Sequence, residues 1–390
     1  MKNTILLLLF TFLFSSVSFS QFDKRIIKIG LFVPLHLDKS FDSTGTDLIK
    51  PNEFPRQSIS GLELYEGAYM AIDSLNKNGI RVLMKVFDTQ SKSGNISTCV
   101  EKNEFEDIDI VFAHGSINEI QQLSIIANEY KLPFINLNLP NNTGILNSPY
   151  TFIANPTVET HLAFLQEKIN QKWPDQNIIW VRRNSATDEI IEKTFDKQNS
   201  KSIQPLSKKT VEVDPLFKWI DIKDEIDTTK LNLLFIGSVD NSFSLNMINT
   251  FSTYPKKNLI QIIGMPNLEL LREIQQPKYG SLPIFYSSPI FIPTNHVWAK
   301  GFGSFIKSTT YSNASLSAYK GFELIFYFTS IFSKYGKIEI HDKIDDGFKV
   351  LNDYQFKPIK SITSPDKIDY FENKNLYFIR RLNGSATISF

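Results

Sequence analysis

The stretch from Gly61 to Thr89, GLELYEGAYMAIDSLNKNGIRVLMKVFDT, constrains the fold more than any other part of the chain. Leu62, Tyr65, Ala68, Met70, Ala71, Ile72 and Leu75 recur at helical spacing and predict one apolar helix face. Asn78-Gly79 ends that helix, because glycine adopts the left-handed cap conformation without a steric penalty. Ile80, Val82, Met84 and Val86 then alternate as in a strand, running up to Phe87-Asp88. An earlier apolar run, Ile26–Pro34, predicts a strand, joined to the helix by a long loop. Strand, helix and strand in that order imply a βαβ unit and therefore a parallel sheet.

The alternation continues. Strands are expected at Asp109–Ala113, Phe134–Leu137 and Tyr150–Ala154, with helices at Ile96–Asn103, Ile117–Tyr130 and Val158–Lys172. Trp173-Pro174 interrupts the pattern and a second series begins. Its strands are Asn177–Val181, Leu231–Gly237, Leu259–Met265 and Pro283–Ser288. Its helices are Asp188–Phe195, Asp214–Ile226, Ser242–Phe251 and Leu268–Ile274, followed by Val297–Ser308 and Leu316–Phe332. The end of the chain reads differently, as short antiparallel strands at Tyr370-Phe371, Asn375–Arg381 and Ala386–Phe390. The fold class is α/β, with two doubly wound parallel-sheet lobes. A chain of 390 residues is long enough for two cores.

Residues 1–20 read as a signal peptide. Lys2 supplies the positive end, Ile5–Phe14 the apolar core, and Ser18-Phe19-Ser20 the small residues before a cut at Gln21. The apolar run is short for a membrane span of about 20 residues, so cleavage is favoured over an uncleaved anchor. Cys99 is the only cysteine, which rules out an intramolecular disulfide and is expected to be a buried small hydrophobe. An exported chain of this kind fits a periplasm. Net charge is +1, so the basic excess that nucleic-acid binding calls for is absent.

Several ordered stretches resemble the type I periplasmic-binding-protein fold, in its leucine/isoleucine/valine-binding family. Lys28-Ile29-Gly30-Leu31, running to Pro34-Leu35, is similar to that family's opening strand. Gly67, Ala68, Ala71 and Ile72 sit as in its first helix, and Asp88 closes the second strand as an aspartate does there. His114-Gly115-Ser116, Leu132-Pro133 and Phe152 with Asn155-Pro156-Thr157 continue the likeness, and Ala318–Glu323 resembles a late helix loosely. Phe41–Gly45, Leu62–Gly67 and Asp73-Ser74-Leu75 resemble an envelope subgroup described as amino-acid ABC transporter substrate-binding proteins.

The resemblance implies two lobes joined by three crossings, with ligand between them. Lobe one would comprise 21–154 with 288–342 returning to it, and lobe two 155–287 with 343–390 returning to it. It also implies contact residues at strand ends. Ser116 opens a helix, where unpaired N–H groups suit a carboxylate, although the same serine can simply cap its helix. Asn136 and Asn138 flank Leu137 at the carboxyl end of a strand, where open α/β sheets hold ligands. Asp240 stands near the family's acidic contact for a ligand amino group, or caps the helix after it. Tyr286 and Arg182 end strands in lobe two, and His114 follows one in lobe one.

Enzyme chemistry finds no support. The five histidines show no HExxH spacing, one cysteine excludes multi-cysteine metal sites, and GxSxG and Walker A sequences are absent. No metal or cofactor is expected. The reading is an exported receptor closing on a small polar ligand, such as an amino acid or peptide, for ABC-type uptake or sensing. Its partner would be an ABC permease or another envelope protein. The alternative is an envelope scaffold of the same fold that binds a protein or cell-wall component and no small solute.

Overall fold

A computed structural model describes residues 25–42, 44–50, 55–140 and 144–389. The expected leader at 1–20 and part of the Phe41–Gly45 insert lie outside them. Among the described residues no helix is long and apolar enough to cross a membrane.

The chain forms two lobes, each built on a seven-stranded sheet. The first sheet starts with β1 (Ile27–Val33), β2 (Val82–Asp88), β3 (Ile110–Ala113), β4 (Phe134–Asn136) and β5 (Thr151–Ile153), all parallel. The second starts with β6 (Asn177–Arg182), β7 (Lys208–Glu212), β8 (Asn232–Ile236), β9 (Ile260–Gly264) and β10 (Ile284–Ser288), also parallel. Apolar side chains cover both faces of each sheet, so central strands such as IVFA of β3 and NLLFI of β8 are buried throughout.

The last four strands divide between the lobes. β11 (Phe356–Lys360) and β12 (Ile368–Asn373) pair with each other and extend the first sheet beyond β5. β13 (Tyr377–Leu382) and β14 (Ser385–Ile388) are antiparallel and extend the second sheet beyond β10. The expectation that all of 343–390 returns to lobe two is therefore corrected for 344–373. Tyr354, Phe356 and Phe371 complete the apolar core of lobe one. The chain passes between the sheets after β5, after β10 and after β12.

Helix α1 (Ile59–Lys77) buries Gly61, Leu64, Gly67, Ala68, Ala71 and Leu75, one residue round from the expected stripe, with Leu62, Tyr65, Met70 and Ile72 half-buried. The shift has a steric cause. A Cβ on Gly67 would lie 1.9 Å from the Ala318 carbonyl oxygen, and one on Gly321 would lie 2.6 Å from that of Leu64. Two glycines thus let α1 lie backbone to backbone against the helix that carries Ala318 and Gly321.

Further helices are α2 (Ile96–Glu101), α3 (Ile117–Tyr130), α4 (Val158–Lys172), α5 (Ala186–Asn199), α6 (Asn241–Ser252), α7 (Val297–Thr310) and α8 (Leu316–Glu339). Two expected helices are not α-helical. Asp214–Ile226 contains only a 3-10 segment at Trp219–Glu225, kinked at Ile222, whose side chain turns into the core. Leu268–Ile274 splits into 3-10 turns at Pro266–Leu270 and Arg272–Gln275, because Leu271 is extended between them. Cys99 is buried as expected, and burial pushes its thiol up to about 11.

Candidate ligand-binding cleft

The parallel strands of both sheets end at a cleft of about 420 Å³ between the lobes. That lies within the ~300–1,000 Å³ usual for small-molecule sites. His114 follows β3, Asn138 follows β4 and Asn155 follows β5 on the lobe-one side. Asn267 and Glu269 follow β9 on the other. Leu137, Pro140, Val158, Val239, Leu270 and Ile290 supply apolar wall between the polar groups.

Lys320 enters from the second turn of α8, whose first turn is capped by Ser315 through the Ala318 N–H at 3.1 Å. Its ammonium donates to Asn155 Oδ1, the single hydrogen-bond acceptor it has among the described residues. Burial draws its pKa down to about 8, which the charge of Glu269 partly opposes. Glu269 sits on the 3-10 turn after β9 and accepts from Ser288 Oγ at 2.7 Å. Burial lifts its pKa to about 7, against the opposing pull of Ser288, Lys320 and Arg381. A basic and an acidic group, one per lobe, thus share a largely apolar cleft.

Two histidines also face the cleft, and neither carries charge at neutral pH. Burial takes His161 down to about 3, and its Nδ1 lies 2.8 Å from Ser287 Oγ. Burial and the nearby Lys320 take His114 down to about 4. Asn267 donates to Asn241 Oδ1 at 3.1 Å and Ser244 Oγ at 3.3 Å, while its own Oδ1 is buried with no partner among the described residues. An orphaned acceptor at a cleft wall is a place for a ligand N–H or O–H.

Of the residues singled out in the sequence, His114 and Asn138 line this cleft. Asn138 also clips two strand ends together, accepting from the Gly115 N–H at 3.1 Å and donating to its carbonyl at 2.9 Å. The other five lie elsewhere. Ser116 makes a capping box with Glu119, whose carboxylate takes both its backbone N–H at 2.6 Å and its hydroxyl at 2.7 Å. Asn136 is fully buried and shapes its own loop, accepting from the N–H groups of Asn138 and Leu139. Asp240 caps α6 through the Phe243 N–H at 2.7 Å and pairs with Arg183 at 2.9 Å. Arg182 pairs with Glu192 at 2.7 Å and Glu212 at 2.9 Å. Tyr286 is buried in β10 with its hydroxyl facing Arg381 at 3.4 Å.

Sequence reasoning missed Lys320, Glu269, Asn155, Asn267 and His161 as cleft residues. Lys320 and Asn155 stand within stretches that carry the family resemblance, and a lysine amid the apolar run of α8 was the available signal. Glu269 gave none, since it lies in a stretch whose pattern predicts a helix and which folds as 3-10 turns instead.

No family model matches the sequence, and no curated protein is significantly similar to it. Solved structures do match over nearly the whole chain. One is a putative branched-chain amino acid ABC transporter protein from Rhodospirillum rubrum, with TM-score 0.65, 12% identity, and 94% of this chain and 100% of that chain covered. Another is an ABC transporter substrate-binding protein from Sphaerobacter thermophilus, with TM-score 0.62, 12% identity and coverage of 93% and 96%. A third is an ABC transporter substrate-binding protein from Desulfitobacterium hafniense solved in complex with Leu, with TM-score 0.60, 10% identity and coverage of 94% and 100%. The chain has the type I periplasmic-binding fold that the sequence resemblance implied.

Proposed function

We propose that this protein is an exported solute-binding receptor whose lobes close on a small ligand bearing an anionic group. One observation carries the reading: Lys320 from lobe one and Glu269 from lobe two face the same apolar cleft at the strand ends. Lys320 anchors the anion, since the two cleft histidines are neutral. Glu269 and the free Asn267 Oδ1 accept hydrogen bonds from N–H or O–H groups of the ligand. A ligand that touches groups of both lobes favours the shut form over the open one, so binding and closure are linked. The similar protein solved with Leu supports an amino-acid-like solute. The sequence leader at 1–20 supports export, and an ABC permease or an envelope sensor would read the closed form.

A thermal-shift screen with amino acids, short peptides, muropeptides, sugars and simple carboxylates tests this. A ligand at about 100 times its dissociation constant adds ~2.7 kcal/mol to stability. Lys320→Met and Glu269→Gln are expected to remove the shift. If no compound moves the transition while a protein partner is captured from envelope extract, the scaffold reading replaces this one.

A further inference from the structure

The cleft does not end at the group of residues around Lys320. A second compartment of about 760 Å³ opens beside it, between α4, α5 and the β11–β12 end of the first sheet. Val158 and Val239 line both compartments and form the neck between them.

The two compartments differ in charge. In the first, the Lys320 ammonium faces Glu269, whose carboxylate burial pushes up to about 7 and so leaves only part-ionised at neutral pH, and the lysine charge outweighs it. In the second, the acidic and basic lining side chains are Glu159, Glu372 and Lys374, with the Tyr370 phenol beside them. Lys374 is matched by Glu372, with 3.0 Å between Nζ and Oε2, and Glu372 also takes the Thr157 N–H at 2.9 Å and the Thr160 hydroxyl at 2.7 Å. Glu159 is left as the unmatched charge among the described residues: it is exposed and accepts a neutral hydrogen bond from Gln198. The trench is therefore positive at one end and negative at the other, with an apolar neck between.

We infer that the trench takes a short peptide, its carboxylate on Lys320 and its amino terminus beyond the Val158–Val239 neck, toward Glu159. The inference rests on the solute-binding reading above and narrows it. A free α-amino acid holds both charges on one carbon and places them in one compartment. A peptide separates them by about 3.3 Å for each added extended residue. Peptide N–H groups also suit the neutral acceptors along the path, above all the orphaned Oδ1 of Asn267. On the second side, Thr187 and Gln198 offer the same kind of neutral partner.

Titration calorimetry on the purified full-length mature protein tests this. The probes are Ala-Ala-X tripeptides with X as Ala, Leu, Phe, Ser, Glu or Lys, their N-acetylated forms, and each free amino acid X. At least one tripeptide is expected to bind about tenfold or more tighter than its free X. N-acetylation should weaken that tripeptide about fivefold or more in the native protein, and Glu159→Gln should erase that difference. Thr187→Trp, on the exposed rim of the second compartment, should also weaken the tripeptide. If free amino acids bind as tightly as tripeptides and neither N-acetylation nor Thr187→Trp matters, the peptide inference is overturned while solute binding stands. If neither free amino acids nor tripeptides bind, the peptide inference also falls, and the solute-binding reading is then decided by the other classes in the thermal-shift screen.

Discussion

Replacing Lys320 by methionine should make the unliganded protein more stable and unable to bind its ligand. Lysine in an unfolded chain titrates near 10.5, and Lys320 in the cleft near 8, because burial penalises the ammonium. Each tenfold change in proton affinity corresponds to ~1.36 kcal/mol, so this drop amounts to roughly 3 kcal/mol held against folding. Lys320 is half-buried and opens on the cleft, where water screens the charge, which reduces the figure to about 1–2 kcal/mol. Methionine has a similar length and no charge, and Leu64 and Leu316 on the same wall offer it apolar surface. Removing the ammonium pushes Glu269 further toward its neutral form, so no bare charge is left behind. Between about pH 8 and 10.5 the unfolded chain binds more protons at this position than the folded one, so native stability rises with pH in that window. The advantage of Lys320→Met should accordingly be full below pH 8 and fade towards pH 10.5. Urea unfolding of both proteins at pH 7 and at pH 10, with ligand titration alongside, reads both effects. A variant less stable than the native protein at pH 7, or one that binds with unchanged affinity, would falsify the assignment of Lys320 as an anion anchor held at a cost to stability.

Other positions give sharper structural tests. Glu323 is buried in α8 and its Oε1 accepts from the N–H groups of Leu351 at 2.7 Å and Asn352 at 2.9 Å, while its other oxygen accepts from the Asn352 side chain. Glu323→Gln would set two amide NH2 groups against each other, and Asn352 cannot turn over because its Oδ1 takes the Phe291 N–H at 2.6 Å; a loss of about 1–3 kcal/mol in urea unfolding is expected. Gly67→Ala drives a methyl into the Ala318 carbonyl, and a loss of about 3 kcal/mol is expected, with no loss pointing to a wider α1–α8 spacing. His161 titrates near 3 in the fold and near 6.5 unfolded, so the unfolded chain takes up more protons between those values and stability should fall as pH drops from 6.5 to 3, by up to about 4 kcal/mol. His161→Asn should flatten that limb of the pH–stability curve measured by thermal unfolding.

Much of the scaffold could be read from the residues. The apolar runs of β1, β3, β6, β8, β9 and β10 are continuous because both sheet faces are covered, and every one lay within an expected strand. The two strands that escaped notice, KKTVE of β7 and FKPIK of β11, are edge strands. Each has one neighbour, alternate burial is lost, and charge or proline on an edge is favoured rather than penalised. The lobe return of 344–373 was likewise hidden, since β11 and β12 resemble in composition the hairpin strands β13 and β14 that go to the other sheet.

The cleft was legible only in outline. Strand ends pointed to His114 and Asn138, which do face it, and equally to Ser116, Asn136, Asp240, Tyr286 and Arg182, which the fold engages in caps, loops, ion pairs and core. Sequence alone determined the parallel α/β architecture, because hydrophobic periodicity and helix termini are local properties of the chain. Only tertiary structure decided which polar groups meet. Lys320, Asn155 and Glu269 are far apart in sequence, and their joint burial depends on how one lobe sits over the other. Burial and charge proximity are what shift proton affinities and leave acceptors unpaired, and both are properties of three-dimensional packing that no local pattern encodes.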